Sequence, residues 1–156
     1  MEKTLIAFFS ATGITAGKAV EIAKITGGDL FEIVPKEKYS SANLDWMKTG
    51  NRSTLEMKDL SCRPEMKDEV PDCSKYSRIL LGFPIWWYTA PRIINTFLES
   101  GDFAVKEIYI FATSGGIGVS KCMADLQQAY PLLHFVKGVL LNRDVEAADI
   151  NEWLGK

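Results

Sequence analysis

Ser10, Thr12, Gly13 and Thr15 stand between an apolar run and the start of a helical pattern. Residues of this kind can hold a phosphate. A helix N-terminus offers unpaired N–H groups and a partial positive charge. Gly13 lets the backbone approach a ligand closely, and the hydroxyls add donors. No residue from 9 to 16 is charged, so an anion held here would be held without lysine or arginine. The same Ser and Thr residues would serve equally well as plain helix caps, and the stretch alone leaves both readings open. A GxxxxGK[ST] loop is excluded because Ala19 follows Lys18, and GxGxxG is not met either.

Two further stretches carry unusual chemistry. Pro84-Ile85-Trp86-Trp87-Tyr88 places three adjacent aromatic residues in a loop. Their flat faces suit stacking on a planar ring, with burial against the core as the alternative. Thr113-Ser114-Gly115-Gly116, continuing to Gly118, allows close backbone approach, so N–H and C=O groups could read a ring edge. A phosphate cradle, an aromatic wall and a backbone rim together suit a phosphorylated flat heterocycle. That points to flavin mononucleotide (FMN) before a dinucleotide. Val34-Pro35, and no acidic residue, is read at the end of the second strand, where a dinucleotide site would bind ribose.

The elements that must position these stretches can be read from periodicity. Residues 4–9, 30–34, 77–83, 107–112 and 133–141 are apolar runs of strand length. Residues 15–26 carry a helical stripe of Ala16, Ala19, Val20 and Ala23, stopped by Gly27-Gly28. A helix within 42–58 is expected from Leu44, Met47 and Leu55, interrupted by Gly50. Thr89 is expected to cap a helix with Pro91 in its first turn and Ile93, Ile94, Phe97 and Leu98 on its buried side. Residues 119–130 and 146–154 read as two more helices. Strands alternating with helices imply a parallel sheet covered on both faces, with ligands bound beyond the strands' carboxyl ends. In a five-stranded parallel sheet of order 2-1-3-4-5, the ends of strands one, three and four lie side by side. Those are the three ends with the unusual loops.

Bulk properties narrow the function. The chain has 156 residues, 47% of them hydrophobic, which suits one domain over 1–156 with a full core. A net charge of −2 argues against general nucleic-acid binding. Cys62, Cys73 and Cys122 have no metal-ligand spacing and suggest a reduced, cytoplasmic setting. No apolar run has the length of about 18–20 residues needed to span a bilayer. The only histidine, His134, opens a strand and reads as structural, and no protein nucleophile or metal site is seen.

At these residues the chain resembles the flavodoxin family, in its short-chain bacterial form. Ser10-Ala11-Thr12-Gly13-Ile14-Thr15 matches the family's phosphate signature S/T-x-T-G-x-T. The likeness extends through 82–91, TFLE at 96–99, FATSGG at 111–116, NRST at 51–54, Glu56 and Arg63-Pro64. It implies a flavodoxin-like three-layer α/β sandwich and non-covalently bound FMN; the 2-1-3-4-5 order is the one known for flavodoxins. By that match Ser10, Thr12, Gly13, Ile14 and Thr15 would hold the phosphate. Pro84, Ile85, Trp86, Trp87 and Tyr88 would wall the isoalloxazine and ribityl chain, and Thr113, Ser114, Gly115 and Gly116 would line its far edge. Two departures stand out: Tyr88 takes the place where a glycine commonly follows the tryptophan pair, and residues 84–91 contain no glycine at all. The expected activity is electron transfer to redox partner proteins. The alternative is an NAD(P)H-dependent FMN reductase acting on quinones or similar small acceptors. Neither nucleic acid nor membrane is an expected partner.

Overall fold

The computed structural model describes residues 3–37, 39, 52–86, 89–113, 119–142 and 145–155. Its elements are β1 (Lys3–Phe8), α1 (Ile14–Thr26), β2 (Asp29–Glu32), α2 (Arg52–Lys58), β3 (Tyr76–Pro84), α3 (Arg92–Glu99), β4 (Glu107–Thr113), α4 (Ser120–Ala129), β5 (His134–Leu140) and α5 (Ala147–Trp153). The strands form one parallel sheet in the order β2-β1-β3-β4-β5. Winding runs from β1 to β2 in one direction and from β1 past β3 in the other. The switch point therefore lies at the carboxyl ends of β1 and β3.

The continuous apolar runs have a simple cause. Successive strand residues point to opposite faces, and here both faces are covered. Leu5, Ala7, Ile79, Leu81, Phe83, Ile108, Ile110 and Ala112 face a core completed by α3 and α4. Ile6, Phe8, Leu80, Tyr109 and Phe111 face a second core completed by Ala19 and Ile22 of α1 and by Ile150, Trp153 and Leu154. Ile93, Ile94, Phe97 and Leu98 are buried as their spacing required. Helix α1 ends at Gly27, whose φ of 73° suits glycine and whose N–H reaches Ala23 O at 2.8 Å. Cys73 and Cys122 are buried thiols and Cys62 is half-buried. Burial pushes the Cys122 thiol up to about 11, so it is an inert core side chain.

Three boundaries differ from the sequence expectation. β2 closes at Glu32, so an acidic residue does end that strand. Residues 34–36 leave the sheet because their backbone pairs elsewhere: Lys36 N–H donates to Glu65 O at 2.8 Å, and Lys67 N–H to Val34 O at 2.7 Å. Thr89 does not cap α3. Its backbone is engaged with Trp86, and Pro91 takes the N-cap position without a side-chain bond. In the segment after β2 the helix spans Arg52–Lys58, and Met57 is its buried apolar residue while Leu55 is exposed. Leu44, Met47 and Gly50 lie outside the described residues. His134 opens β5 as expected and is solvent-exposed.

Gly82 sets the spacing at the centre of the sheet. A Cβ there would stand 2.1 Å from Phe111 Cζ. Phe111 is itself fixed against Trp153, with ring centroids 6.1 Å apart. Gly82→Ala should therefore lower stability by about 3 kcal/mol, the upper part of the range for forcing extra atoms into a packed core. Urea unfolding checks this. Adding Phe111→Leu should recover part of the loss, whereas a Gly82→Ala variant as stable as wild type would contradict the packing.

Candidate functional site

Three strand ends meet at one edge of the sheet. Phe8 is in register with Gly82, and Pro84 with Thr113. Backbone bonds continue beyond the strands: Phe9 N–H donates to Gly82 O and Ile85 N–H to Thr113 O, both at 2.9 Å. The loops after β1, β3 and β4 are thus fixed to one another before any side chain is considered.

The first loop is built for an exposed turn into α1. Ser10 Oγ accepts the Gly13 N–H at 3.0 Å, closing the turn from inside. Gly13 is the N-cap residue with φ 95°, a left-handed conformation that costs other residues about 1–2 kcal/mol. Space around its missing Cβ is open, so the dihedral angle, and not crowding, demands glycine. No side chain caps α1. The N–H groups of Ile14, Thr15 and Ala16 lie in the first turn, where no intrahelical acceptor exists. Thr12, Gly13 and Ile14 are exposed, and Ile14 is 61% exposed. A cavity of about 440 Å³ lies beside Gly13, Ile14, Gly17 and Lys18.

Thr15 behaves differently from the other hydroxyls. It is buried, and its Oγ1 lies 2.9 Å from Thr113 Oγ1, also buried. This bond joins α1 to the end of β4 across the sheet. Thr15 can therefore serve an anion through its main-chain N–H, while its side chain holds the two loops together. Thr113 likewise is placed at the site but turned into this bond.

In the second loop Pro84, Ile85 and Trp86 are half-buried. Trp86 and Thr89 exchange both backbone hydrogen bonds, at 2.9 and 3.0 Å, which closes the stems of the loop. The Trp86 ring meets Phe9 edge-on at 5.6 Å and Tyr39 edge-on at 5.3 Å. It is thus half-buried, with one part of the ring packed against the core. Trp87, Tyr88, Ser114, Gly115 and Gly116 lie outside the described residues.

Tyr39, which its sequence context does not assign to the site, packs against Trp86 and is itself held by Arg52 and Glu56. Tyr39 donates its hydroxyl to Glu56 Oε1, and Arg52 Nε donates to Glu56 Oε2 at 2.9 Å. Burial first, then the bond to Glu56, holds the Tyr39 phenol far above its ordinary pKa, so it remains a donor. In the sequence, Arg52 and Glu56 stand out only through the family likeness at 51–54 and 56, and Tyr39 only as an aromatic residue in a polar segment. Next to Thr89 a second cavity, of about 570 Å³, is lined in part by Met57, Arg63, Arg92, Asn95 and Lys121. Arg92 is buried and donates to Glu56 O at 3.3 Å and Met57 O at 2.7 Å, fixing α2 on α3. Burial lowers its guanidinium below the ordinary value, with Arg63 adding to the effect.

Comparison with known proteins places this geometry in context. The flavodoxin family model matches residues 3–156. The crystal structure of a candidate flavoprotein from Bacteroides eggerthii superposes with a TM-score of 0.96 at 42% identity, covering 99% of this chain and 97% of that one. One from Bacteroides uniformis gives 0.93 at 45% identity, covering 99% of both chains. A flavoprotein from Lactobacillus acidophilus, solved in complex with FMN, gives 0.75 at 22% identity with 99% of both chains covered, a likeness of fold. No curated protein matches the chain. Among the described residues no helix is long and apolar enough to cross a membrane.

The Thr15–Thr113 bond makes a quantitative prediction. Replacing either threonine by valine leaves a buried hydroxyl without its partner and should cost about 1–3 kcal/mol. The double valine variant should cost clearly less than the sum of the singles. Denaturant titration of the three variants measures the coupling, and additive losses would contradict it.

Proposed function

The chain belongs to the flavodoxin family, and on that premise we propose that it is a redox protein that holds FMN non-covalently at the carboxyl ends of β1, β3 and β4. The observation that carries this reading is the exposed, uncapped N-terminus of α1, entered through a glycine at φ 95° and tied to the end of β4 by the Thr15–Thr113 bond. The FMN complex of the Lactobacillus acidophilus flavoprotein, on the same fold, supports FMN as the ligand. FMN would supply the electron chemistry, and the protein would supply binding, orientation and electrostatics.

The residues fit this task. The N–H groups of Ile14, Thr15 and Ala16 and the Thr12 hydroxyl would hold the phosphate dianion, helped by the helix end. Ser10 would act indirectly, by shaping the turn through Gly13. Pro84, Ile85, Trp86 and, from the resemblance, Trp87 and Tyr88 would exclude water from the ring. Thr113 would anchor the opposite edge, with Ser114, Gly115 and Gly116 beyond it.

Electron transfer to redox partner proteins is the first reading. A second reading is an NAD(P)H-dependent FMN reductase acting on quinones or similar acceptors, for which the cavity of about 570 Å³ beside Thr89 offers room. Stopped-flow mixing of FMN-loaded protein with NADPH separates them. Rapid bleaching of the flavin means reductase; an unchanged spectrum means carrier.

Thr12→Val tests the cradle itself. Thr12 is exposed, so the stability of the FMN-free protein should change by no more than about 0.5 kcal/mol. Loss of a hydrogen bond to a charged phosphate should weaken FMN about tenfold or more. Fluorescence titration and thermal unfolding provide the two readouts. Equal losses of stability and affinity would make Thr12 a structural residue and contradict the reading.

A further inference from the structure

We propose that Tyr39, Arg52 and Glu56 form a charge-balanced clasp that positions Trp86 in the wall of the flavin site, an inference that rests on the FMN reading above. The three side chains close a ring. Each oxygen of Glu56 has its own donor: Oε1 takes the Tyr39 hydroxyl and Oε2 takes Arg52 Nε at 2.9 Å. The guanidinium carbon of Arg52 lies 3.9 Å from the centre of the Tyr39 ring, within cation–π range. Arg52 Nη1 also donates to Glu37 O at 2.6 Å, tying the segment after β2 to α2.

This ring is coupled to Trp86 by direct contact. Tyr39 meets Trp86 at 5.3 Å and an interplanar angle of 83°, and meets Phe9 at 5.8 Å and 63°. Edge-on aromatic contacts are directional, so the orientation of Tyr39 constrains that of Trp86. Tyr39 itself is oriented from its face by Arg52 and from its hydroxyl by Glu56. Helix α2, at seven residues, is too short to persist unaided. It is held at one end by this ring and at the other by Arg92, which bonds the Glu56 and Met57 carbonyls.

The choice of residues carries a second consequence. The Arg52 and Glu56 side chains are only 20% and 11% exposed. A mostly buried ion pair adds little net stability compared with apolar residues of the same volume. What it provides is fixed geometry with no net charge. A flavin gains negative charge on reduction. Glu56 alone would oppose that, and Arg52 alone would favour it. Paired, they leave the potential nearly unaffected.

The test is the midpoint potential of the FMN-loaded protein at pH 8, measured for wild type and for Arg52→Gln, Glu56→Gln, the double variant and Arg52→Lys. Arg52→Gln should lower the potential and Glu56→Gln should raise it. The double variant and Arg52→Lys should lie near wild type. In the FMN-free protein, Tyr39→Leu should strongly diminish the near-ultraviolet circular dichroism of the aromatic cluster, and Tyr39→Phe, which keeps the ring but loses the bond to Glu56, should diminish it less; a Tyr39→Leu spectrum equal to wild type would overturn the positioning of Trp86. A merely structural role would move the two single-charge variants in the same direction or not at all. That result, with FMN bound one to one, overturns the clasp and leaves the FMN reading standing. If a single-charge variant fails to fold, the lysine and double variants still decide: potentials far from wild type overturn the inference. A wild-type protein that takes up no FMN overturns both.

Discussion

β3 lies hydrogen-bonded between β1 and β4, and the site depends on the register of those two pairings. A slip of one residue would turn every side chain to the opposite face, bringing Leu80 among the residues of α3 and α4 and Leu81 among those of α1 and α5. It would also separate the strand ends. Gly82 makes the register tight, because the Phe111 ring of the neighbouring strand occupies the place its side chain would take. With the register set, Phe9, Ile85 and Thr113 are bonded at one edge, and the loops leave the sheet from fixed points.

From those points the loops divide the work. The first offers an open helix end and a glycine in a left-handed conformation, with Ser10 spent on the turn and Thr15 on the bond to Thr113. An anion there would be held by amides, the exposed Thr12 hydroxyl and the helix end. The second loop supplies Trp86, which is held by Phe9 and Tyr39 and so does not stand free in solvent. An aromatic side chain packed on two neighbours near an open helix end suits a ligand with one charged end and one flat apolar end.

Much of this was legible in the sequence, for identifiable reasons. Runs such as 77–83 fit strands buried on both faces, and strands that alternate with helices leave few topologies. The three unusual loops then fall together by strand order alone. What was not legible depends on pairing at a distance. Thr15 reads as another hydroxyl donor until its partner 98 residues away is known. Thr89 has the right residue type and offset for a cap, but its backbone bonds to Trp86 take precedence. Val34-Pro35 reads as a strand end, yet its backbone pairs with residues 65–67, a segment with no strand pattern of its own. Tyr39 and Glu56, 17 residues apart, meet across a segment whose spacing predicts only a weak helix.

FMN would sit where β1, β3 and β4 end. Amide chemical-shift mapping of the isotope-labelled, FMN-free protein on addition of FMN tests this placement most directly. Shifts are expected to concentrate in Ser10, Thr12, Gly13, Ile14, Thr15, Ile85, Trp86 and Thr113, with saturation at one equivalent. Shifts confined to another part of the surface, with these amides unmoved, would contradict it.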